Sequence, residues 1–441
     1  MLRSANASFL GFRDLFGVEA RMMEYCADKL AELFQLWGYD RIELSIIESI
    51  DSFTERIVGS SPWPEWDKKS SFCLEINDYP FSYSDQAISG MALLVPEGTI
   101  SVSRWLANQI KDGQKGVVDF LPLKIFYIVP CFRNEPIARL STTKGRSFTQ
   151  AGIEIIGVSN RYADLETMIL IAEGIKTLGI PPDSIRIRIG DVRIFNTLCE
   201  KSKIAPEDLI PLKEALDAIA ESRAGNDLKR LREEREKLKK ILSVYSLSQE
   251  LRSKWDWCIS SWRDEITFKE ARLVDCPEVI SDLNWLSAQM RHFGICGQID
   301  LSTIRSHEYY TGVVYEVDIQ FSNRTIVEVA GGGRYNKLIG RFLGNKVEIP
   351  AVGFAYGVER LYSLFKIANN KSYADIKCWL SNNPTDFVVY ASAGRFHQAV
   401  EYAKKLRGNG LRTDIYVGDN LSEENARCYA ENRQAKLEVI V

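Results

Sequence analysis

The sequence predicts an α+β fold: a strand-rich core, interrupted by a mostly helical insertion and followed by a small C-terminal α/β unit. Three observations carry that prediction. Two apolar, β-prone runs, 125–132 and 148–156, flank a turn at Lys144-Gly145 and read as a buried hairpin. Between 181 and 277 the pattern changes to short helical periods, including the charged run 226–242 with apolar residues at Leu228, Leu231, Leu238, Ile241 and Leu242, the pattern of a solvated helix face. From Asp386 onward, strand, helix, strand, helix and strand alternate as in a small parallel unit. The chain is accordingly divided into a core (1–180), an insertion (181–290), a resumed core (291–380) and a final unit (384–441).

The composition suits this division and narrows the function. The 441 residues are 45% hydrophobic and 26% charged, ordinary for a globular protein with a sizeable core. A net charge of −3 gives no global attraction for nucleic acid, although local basic patches remain compatible with it. Nine scattered cysteines without C-x-x-C spacing argue against a disulfide framework or a zinc site, and for a reducing compartment, by default the cytoplasm. No apolar run approaches the ~20 residues that span a bilayer, and the first residues lack a signal-peptide apolar stretch.

In chain order, 17–37 places Met22, Cys26, Leu30, Leu33 and Trp37 at steps of four and three, one stripe of an amphipathic helix ended by Gly38. Residues 41–46 alternate polar and apolar as a half-buried strand. Residues 53–90, rich in Ser, Pro, Trp and acidic side chains, read as an irregular insertion over the core. Pro96-Glu97-Gly98-Thr99 is a turn that presents a carboxylate and a hydroxyl. In the hairpin, Arg133 and Glu135 stand two apart, so both side chains leave one face of the strand. A guanidinium forks onto phosphate oxygens, and a carboxylate accepts from an exocyclic amine. Gln150 and Glu154 share a face of the second arm, offering an amide and a carboxylate to a small polar side chain. Asn160 and Gly179 cap a helix between them. His307 reads as an ordinary turn residue. Three consecutive glycines, 331–333, sit in what reads as a loop (329–342) where backbone approaches a ligand closely.

Taken together these segments resemble a known family. Phe132-Arg133-x-Glu135, Gly145-Arg146 and Phe148-x-Gln150-x-x-x-Glu154 resemble the second signature motif of class II aminoacyl-tRNA synthetases, with the ending of the histidyl-tRNA synthetases. The helix and strand of 17–46 resemble the first motif, without its proline near Ser45. Residues 96–99 resemble the family's loop whose glutamate receives the α-ammonium of the amino acid. Arg305, Tyr309, Tyr310, Thr311 and Gly312 match a histidyl motif in which Ser306, His307 and Glu308 replace Gly, Leu and Asp. Gly331-Gly332-Gly333-Arg334-Tyr335 and the stretch from Gly353 to Leu361 resemble the histidyl glycine loop and the third motif. Two further stretches resemble relatives in part. Residues 189–195 look more like the regulatory subunit of ATP phosphoribosyltransferase, and the final unit looks like the start of an anticodon-binding domain, short of its closing strands and with eight Lys/Arg against eight Asp/Glu.

The resemblance implies a class II fold, an antiparallel sheet flanked by helices, with an insertion lying over the acceptor arm of tRNA. It implies activation of histidine with ATP to histidyl-adenylate, then transfer to tRNA, in a cytoplasmic homodimer. Arg133 and Arg305 would flank the α-phosphate as the catalytic pair. Glu97, Gly98, Thr99, Gln150, Glu154, Tyr309, Tyr310 and Tyr335 would hold histidine, with only one of the adjacent tyrosines facing the pocket. Arg133, Glu135, Arg146 and Arg360 would hold ATP, with Mg²⁺ on its outer phosphates and no metal held by the protein alone. Two alternatives share the fold: a non-catalytic regulatory subunit that partners the ATP phosphoribosyltransferase catalytic subunit, and an adenylate-forming paralogue with an acceptor other than tRNA.

Overall fold

A computed structural model describes residues 9–59, 71–75, 91–111, 121–137, 140, 144–260, 262–267, 270, 276–305, 309–321, 326–367, 385–392, 394–418, 421–433 and 435–440. Most of the 53–90 segment, residues 306–308 and the boundary at Pro384 lie outside these. The chain forms two compact units, one built on Met23–Leu364 with the residues up to Asp14, the other on Phe365–Val441 with Leu15–Met22.

The first unit is organised by an eight-stranded sheet. Its chain supplies, in order, β1 (Asp40–Arg41), β2 (Ile47–Ser49), β3 (Cys73–Glu75), β4 (Met91–Leu94), β5 (Leu123–Phe132), β6 (Ser147–Ile156), β7 (Ile185–Asp191), β8 (Cys296–Ile299), β9 (Val313–Gln320), β10 (Ile326–Arg334) and β11 (Ala351–Gly357). The large sheet runs β1-β5-β6-β11-β10-β9-β7-β8, and β2-β4-β3 form a small separate sheet. Pairing is antiparallel from β5 to β7, with parallel neighbours only at the two margins, β1 on β5 and β7 on β8. The predicted hairpin is β5–β6, in register from Leu123 opposite Ile156 to Phe132 opposite Ser147.

Helices cover the sheet. Val18–Leu36 buries Met22, Cys26, Leu30 and Phe34, an unbroken step of four, so Phe34 takes the place expected for Leu33, and Leu33 and Trp37 are half-buried. Phe34 seats its ring 5.5 Å from that of Phe126 and 6.2 Å from that of Phe354, on the strands beneath. The strand expected over 41–46 pairs only through Asp40–Arg41; beyond it Ile42 and Leu44 still turn into the core, so the alternation reports burial without a ladder. Arg161–Thr177 is capped by the Asn160 side chain, which accepts from the Tyr162 N–H, and is followed by Gly179 at φ +78°.

The region expected to be a helical insertion opens with a sheet strand. In β7 the Ile-Arg-Ile-Arg-Ile alternation gives period two, and its strand lies between β9 and β8. Helices Val192–Ser202, Pro206–Ala224, Leu228–Ser243 and Gln249–Cys258 follow. The charged helix buries Leu238 and Leu242 and leaves Leu228 in solvent, the solvated-face pattern expected of it.

Gly331, Gly332 and Gly333 belong to β10 and not to a loop. A Cβ on Gly332 would stand 2.2 Å from the Gly353 carbonyl oxygen and one on Gly333 2.7 Å from that of Val313, so the glycines let strands and the Arg305 segment close together. Among the described residues no helix is long and apolar enough to cross a membrane.

In the second unit, β12 (Phe387–Ala391), β13 (Thr413–Ile415) and β14 (Lys436–Ile440) pair in parallel in the order β13-β12-β14, with helices Phe396–Gly408 and Glu423–Asn432 between them in sequence. This is the strand–helix alternation read from the sequence.

Candidate active site

One cavity in the first unit collects Glu97, Thr99, Arg133, Glu135, Gln150, Arg305, Tyr309, Tyr310, Tyr335 and Arg360. These come from opposite ends of the chain because β5, β6, β11 and β10 are neighbours in the sheet. Three expected residues, Gly98, Glu154 and Arg146, do not line it.

Glu97 precedes the helix Gly98–Lys111, and its Oε1 accepts from the Ile100 N–H at 2.9 Å. Burial pushes its carboxyl up from the usual range, while that N–H and Arg133 pull it back. Its Oε2 accepts from the Tyr309 hydroxyl at 3.4 Å. A buried carboxylate of this kind gains most from a cationic ligand.

Gln150 has its direction fixed, because the Gly98 N–H donates to Oε1 at 2.8 Å and leaves the amide NH₂ to donate elsewhere. Gly98 is there for closeness, since a Cβ would meet the Tyr127 ring at 2.3 Å. Glu154 is fully buried behind the wall and accepts from Tyr335 (2.6 Å), Thr99 (2.9 Å) and Tyr127 (3.4 Å). Burial pushes it up to about 8, against those hydroxyls. With their hydrogens committed to Glu154, the Tyr335 and Thr99 oxygens present lone pairs to the cavity. The wall thus offers an amide donor and hydroxyl acceptors.

Tyr309 and Tyr310 both line the cavity, contrary to the expectation that one faces away. That expectation assumed a strand. Residues 309–312 form an irregular connection ahead of β9, and the two rings lie 4.7 Å apart at 48°.

On the cationic side, β5 stops at Phe132, so Arg133 and Glu135 lie just past the strand yet line the same cavity. Arg133 Nε donates to the Pro96 carbonyl (2.9 Å), and its guanidinium carbon lies 4.9 Å from the centre of the Phe148 ring. Glu135 Oε1 is 3.1 Å from Lys144 Nζ, while its Oε2 is buried without a hydrogen-bond partner. Arg146 is committed elsewhere: its Nε donates to the Glu135 carbonyl (3.1 Å) and its Nη1 to the Leu10 carbonyl (3.2 Å). Arg305 sits at φ +45°, a region β-carbon residues rarely occupy. Its Nε and Nη1 are buried without a hydrogen-bond partner, the latter 3.6 Å from Glu316 Oε1. Arg360 Nη1 lies 3.3 Å from Glu328 Oε1. Against the upward push of burial, Arg360 and then Arg305 hold Glu328 below its ordinary value. Burial likewise pushes Glu316 up, to about 8, and Arg188 opposes it; with guanidiniums on both sides, the carboxylate is the form this geometry satisfies.

No sequence pattern assigned a site role to Lys144, Glu316, Glu328, Asp217 or Glu221, the last two on the helix Pro206–Ala224, and Phe148 stood in the second-motif match without a role; these six and Glu359 line the cavity. Glu359, for which the third-motif resemblance offered position but no role, accepts from the Thr149 N–H at 2.8 Å and clasps its helix to β6. Arg334, at the end of β10, is structural: its guanidinium is buried on Asp164 (2.9 Å) and the Val158 carbonyl (2.7 Å).

A family model described as histidyl-tRNA synthetase matches residues 77–361. The histidine–tRNA ligase of Methanococcus vannielii is 28% identical over 437 residues, covering 98% of this chain and 91% of that one. That of Methanocaldococcus jannaschii is 29% identical over 355 residues, covering 80% and 74% respectively. Among solved structures, an ATP phosphoribosyltransferase regulatory subunit/histidyl-tRNA synthetase from Bacillus halodurans C superposes with a TM-score of 0.71 at 20% identity, covering 99% of each chain. Apo histidyl-tRNA synthetase of S. aureus does so at 0.63 and 21%, covering 98% of this chain and 91% of that one. These last two likenesses speak to the fold.

Proposed function

The chain belongs to the histidyl-tRNA synthetase family, and from that premise we propose that it activates histidine with ATP and transfers it to tRNA. The observation that carries the site assignment is a single cavity that pairs a buried carboxylate and directed amide with two arginines, one of them Arg305 with buried N–H groups that make no hydrogen bond.

In this reading Glu97 receives the α-ammonium. Gln150 donates to the unprotonated imidazole nitrogen, and the Tyr335 or Thr99 oxygen, its hydrogen held by Glu154, accepts from the ring N–H. The histidine carboxylate is already an anion and needs no base. One of its oxygens bonds to the α-phosphorus as the bond to the bridging oxygen breaks, and pyrophosphate leaves. Charge grows on the equatorial oxygens meanwhile, and Arg133 and Arg305 offset it from preset positions. The buried Oε2 of Glu135 awaits a donor such as the adenine amine, and Phe148, under Arg133, offers a face for the base. Arg360 completes the cation set, and Arg146 braces the loop through the Glu135 carbonyl. A ribose hydroxyl of tRNA then attacks the adenylate carbonyl, its proton passes to a phosphate oxygen of the adenylate, and AMP leaves.

Mg²⁺ enters with ATP as part of the substrate. Among the described residues no three His, Cys, Asp or Glu side chains group to hold a metal, and the lining carboxylates Glu316 and Glu328 are engaged by arginines. In this reading the ion is carried by the phosphates of ATP. Histidine-dependent exchange of labelled pyrophosphate into ATP tests the activation step of this reading, and charging of tRNA with labelled histidine tests the transfer.

The regulatory-subunit alternative is not favoured, because the curated relatives are ligases and a binding-only protein has no use for both phosphate arginines. We also infer a homodimer. Leu36 (84% exposed), Ile46 (43%) and Ile47 (44%) put apolar side chains into solvent on the first-motif helix and the strand region after it. Sedimentation at micromolar concentration should give twice the chain mass, and a monomer there overturns it.

A further inference from the structure

Arg188 is an unexplained buried charge. It lies on β7, does not line the cavity, and is 1% exposed. β7 pairs with β9 so that Arg188 is opposite Glu316, with Asp318 two residues further along β9 on the same face. The guanidinium bridges both: Nε is 2.6 Å from Asp318 Oδ2, and Nη2 is 2.7 Å from Glu316 Oε2. Its Nη1 donates to the Thr303 hydroxyl at 3.3 Å. The other oxygen of Glu316 stands 3.6 Å from Arg305 Nη1, inside ion-pair range but beyond a hydrogen bond. Arg305 itself is seated by shape, because a Cβ on Gly331 would fall 1.7 Å from its Nη1.

We propose that Arg188 is a positioning residue for the activation step: it ties Glu316 back, so that this carboxylate orients Arg305 without closing on it and leaves the Arg305 N–H groups for a phosphate. The proposal rests on the reading of Arg305 as a phosphate ligand in histidine activation. Its physical basis is competition for one largely buried carboxylate. Released from Arg188, Glu316 has Arg305 as its neighbouring cation, and a buried carboxylate without a partner is driven onto the nearest one. A closed Glu316–Arg305 pair cancels the charge before the substrate arrives.

The test is a double-mutant cycle read in histidine-dependent pyrophosphate exchange. Arg188→Met should lower kcat about 10- to 100-fold, part of the loss expected for a whole electrostatic contact, with the calorimetric Kd for histidine changed less than about threefold, since Gln150 and Glu97 are untouched. Arg188→Met combined with Glu316→Gln should regain at least about 10-fold over Arg188→Met alone, because a neutral amide does not capture Arg305. If Arg188→Met does not fold, Arg188→Lys replaces it. An ammonium keeps a charge beside Asp318 but lacks the fork that spans both carboxylates, and the same loss and rescue are expected. A double variant no faster than the single one, or turnover and histidine binding falling together, overturns the proposal in favour of a purely structural Arg188. A native protein without exchange, or an Arg305→Ala variant that exchanges normally, overturns the functional reading instead.

Discussion

Arg305→Ala should cut histidine-dependent pyrophosphate exchange by about 10²–10³ while changing histidine affinity by less than about threefold. The asymmetry follows from where the charge is. Before reaction the α-phosphate charge is shared between solvent and arginines, and in the transition state its oxygens gather charge inside a cavity where a buried guanidinium acts at low dielectric. Arg305 faces that change with Nε and Nη1 free of hydrogen bonds, Nη1 held only at 3.6 Å by Glu316, and a backbone already fixed at φ +45°, so it need not reorganise. Gly331→Ala should reproduce part of the loss by pushing the guanidinium aside, because its Cβ would overlap Nη1. Steady-state kinetics with titration calorimetry check both, and a loss expressed mainly in histidine Kd would show that Arg305 serves the amino acid.

The second large effect is expected at Glu154, which touches the cavity only through the hydroxyls it holds. Glu154→Gln should lower kcat/KM for histidine about 10²-fold, the scale of two buried hydrogen bonds left misdirected at roughly 1–3 kcal/mol each. Its titration gives an independent signature. With burial pushing Glu154 up to about 8, the acid form holds a proton of its own and one neighbouring hydroxyl must turn. In the native protein kcat/KM for histidine should therefore rise with pH toward an inflection near 8; in Glu154→Gln that inflection should vanish. Linkage fixes the sign for stability. The folded carboxyl binds its proton more tightly than the unfolded one, so the contribution is fully present below the ordinary value of 4.5 and is lost as pH rises through about 8. Thermal melts of the ligand-free protein should show that decline, and a pH-independent difference between native and Glu154→Gln would remove Glu154 from the account.

Where the sequence was legible, a regular period carried the message. Period two in 148–156 put Gln150 and Glu154 on one face of β6, and steps of four located the buried side of Val18–Leu36. It failed where geometry departs from a period. Tyr309 and Tyr310 share the cavity because their segment is not a strand, and glycines 331–333 read as a loop although backbone neighbours on both sides require a strand without side chains there. Long-range commitments were also invisible: Arg146 is taken up by the Leu10 carbonyl, 136 residues away. No pattern singles out Glu316 or Glu328 in the sequence, and only the packing of β9 and β10 beneath Arg305 and Arg360 turns them into part of a partly buried charge array.

Amino-acid-dependent exchange of labelled pyrophosphate into ATP measures whether this cavity activates histidine, without involving tRNA. Histidine should support exchange, and the other amino acids should fall short by a factor on the order of 10⁴, because a side chain without the ring's donor and acceptor leaves the Gln150 amide and the Tyr335 oxygen buried and unpaired. Folded protein that supports no exchange with any of the twenty amino acids, or exchanges as readily with one that lacks a ring N–H, would contradict the account.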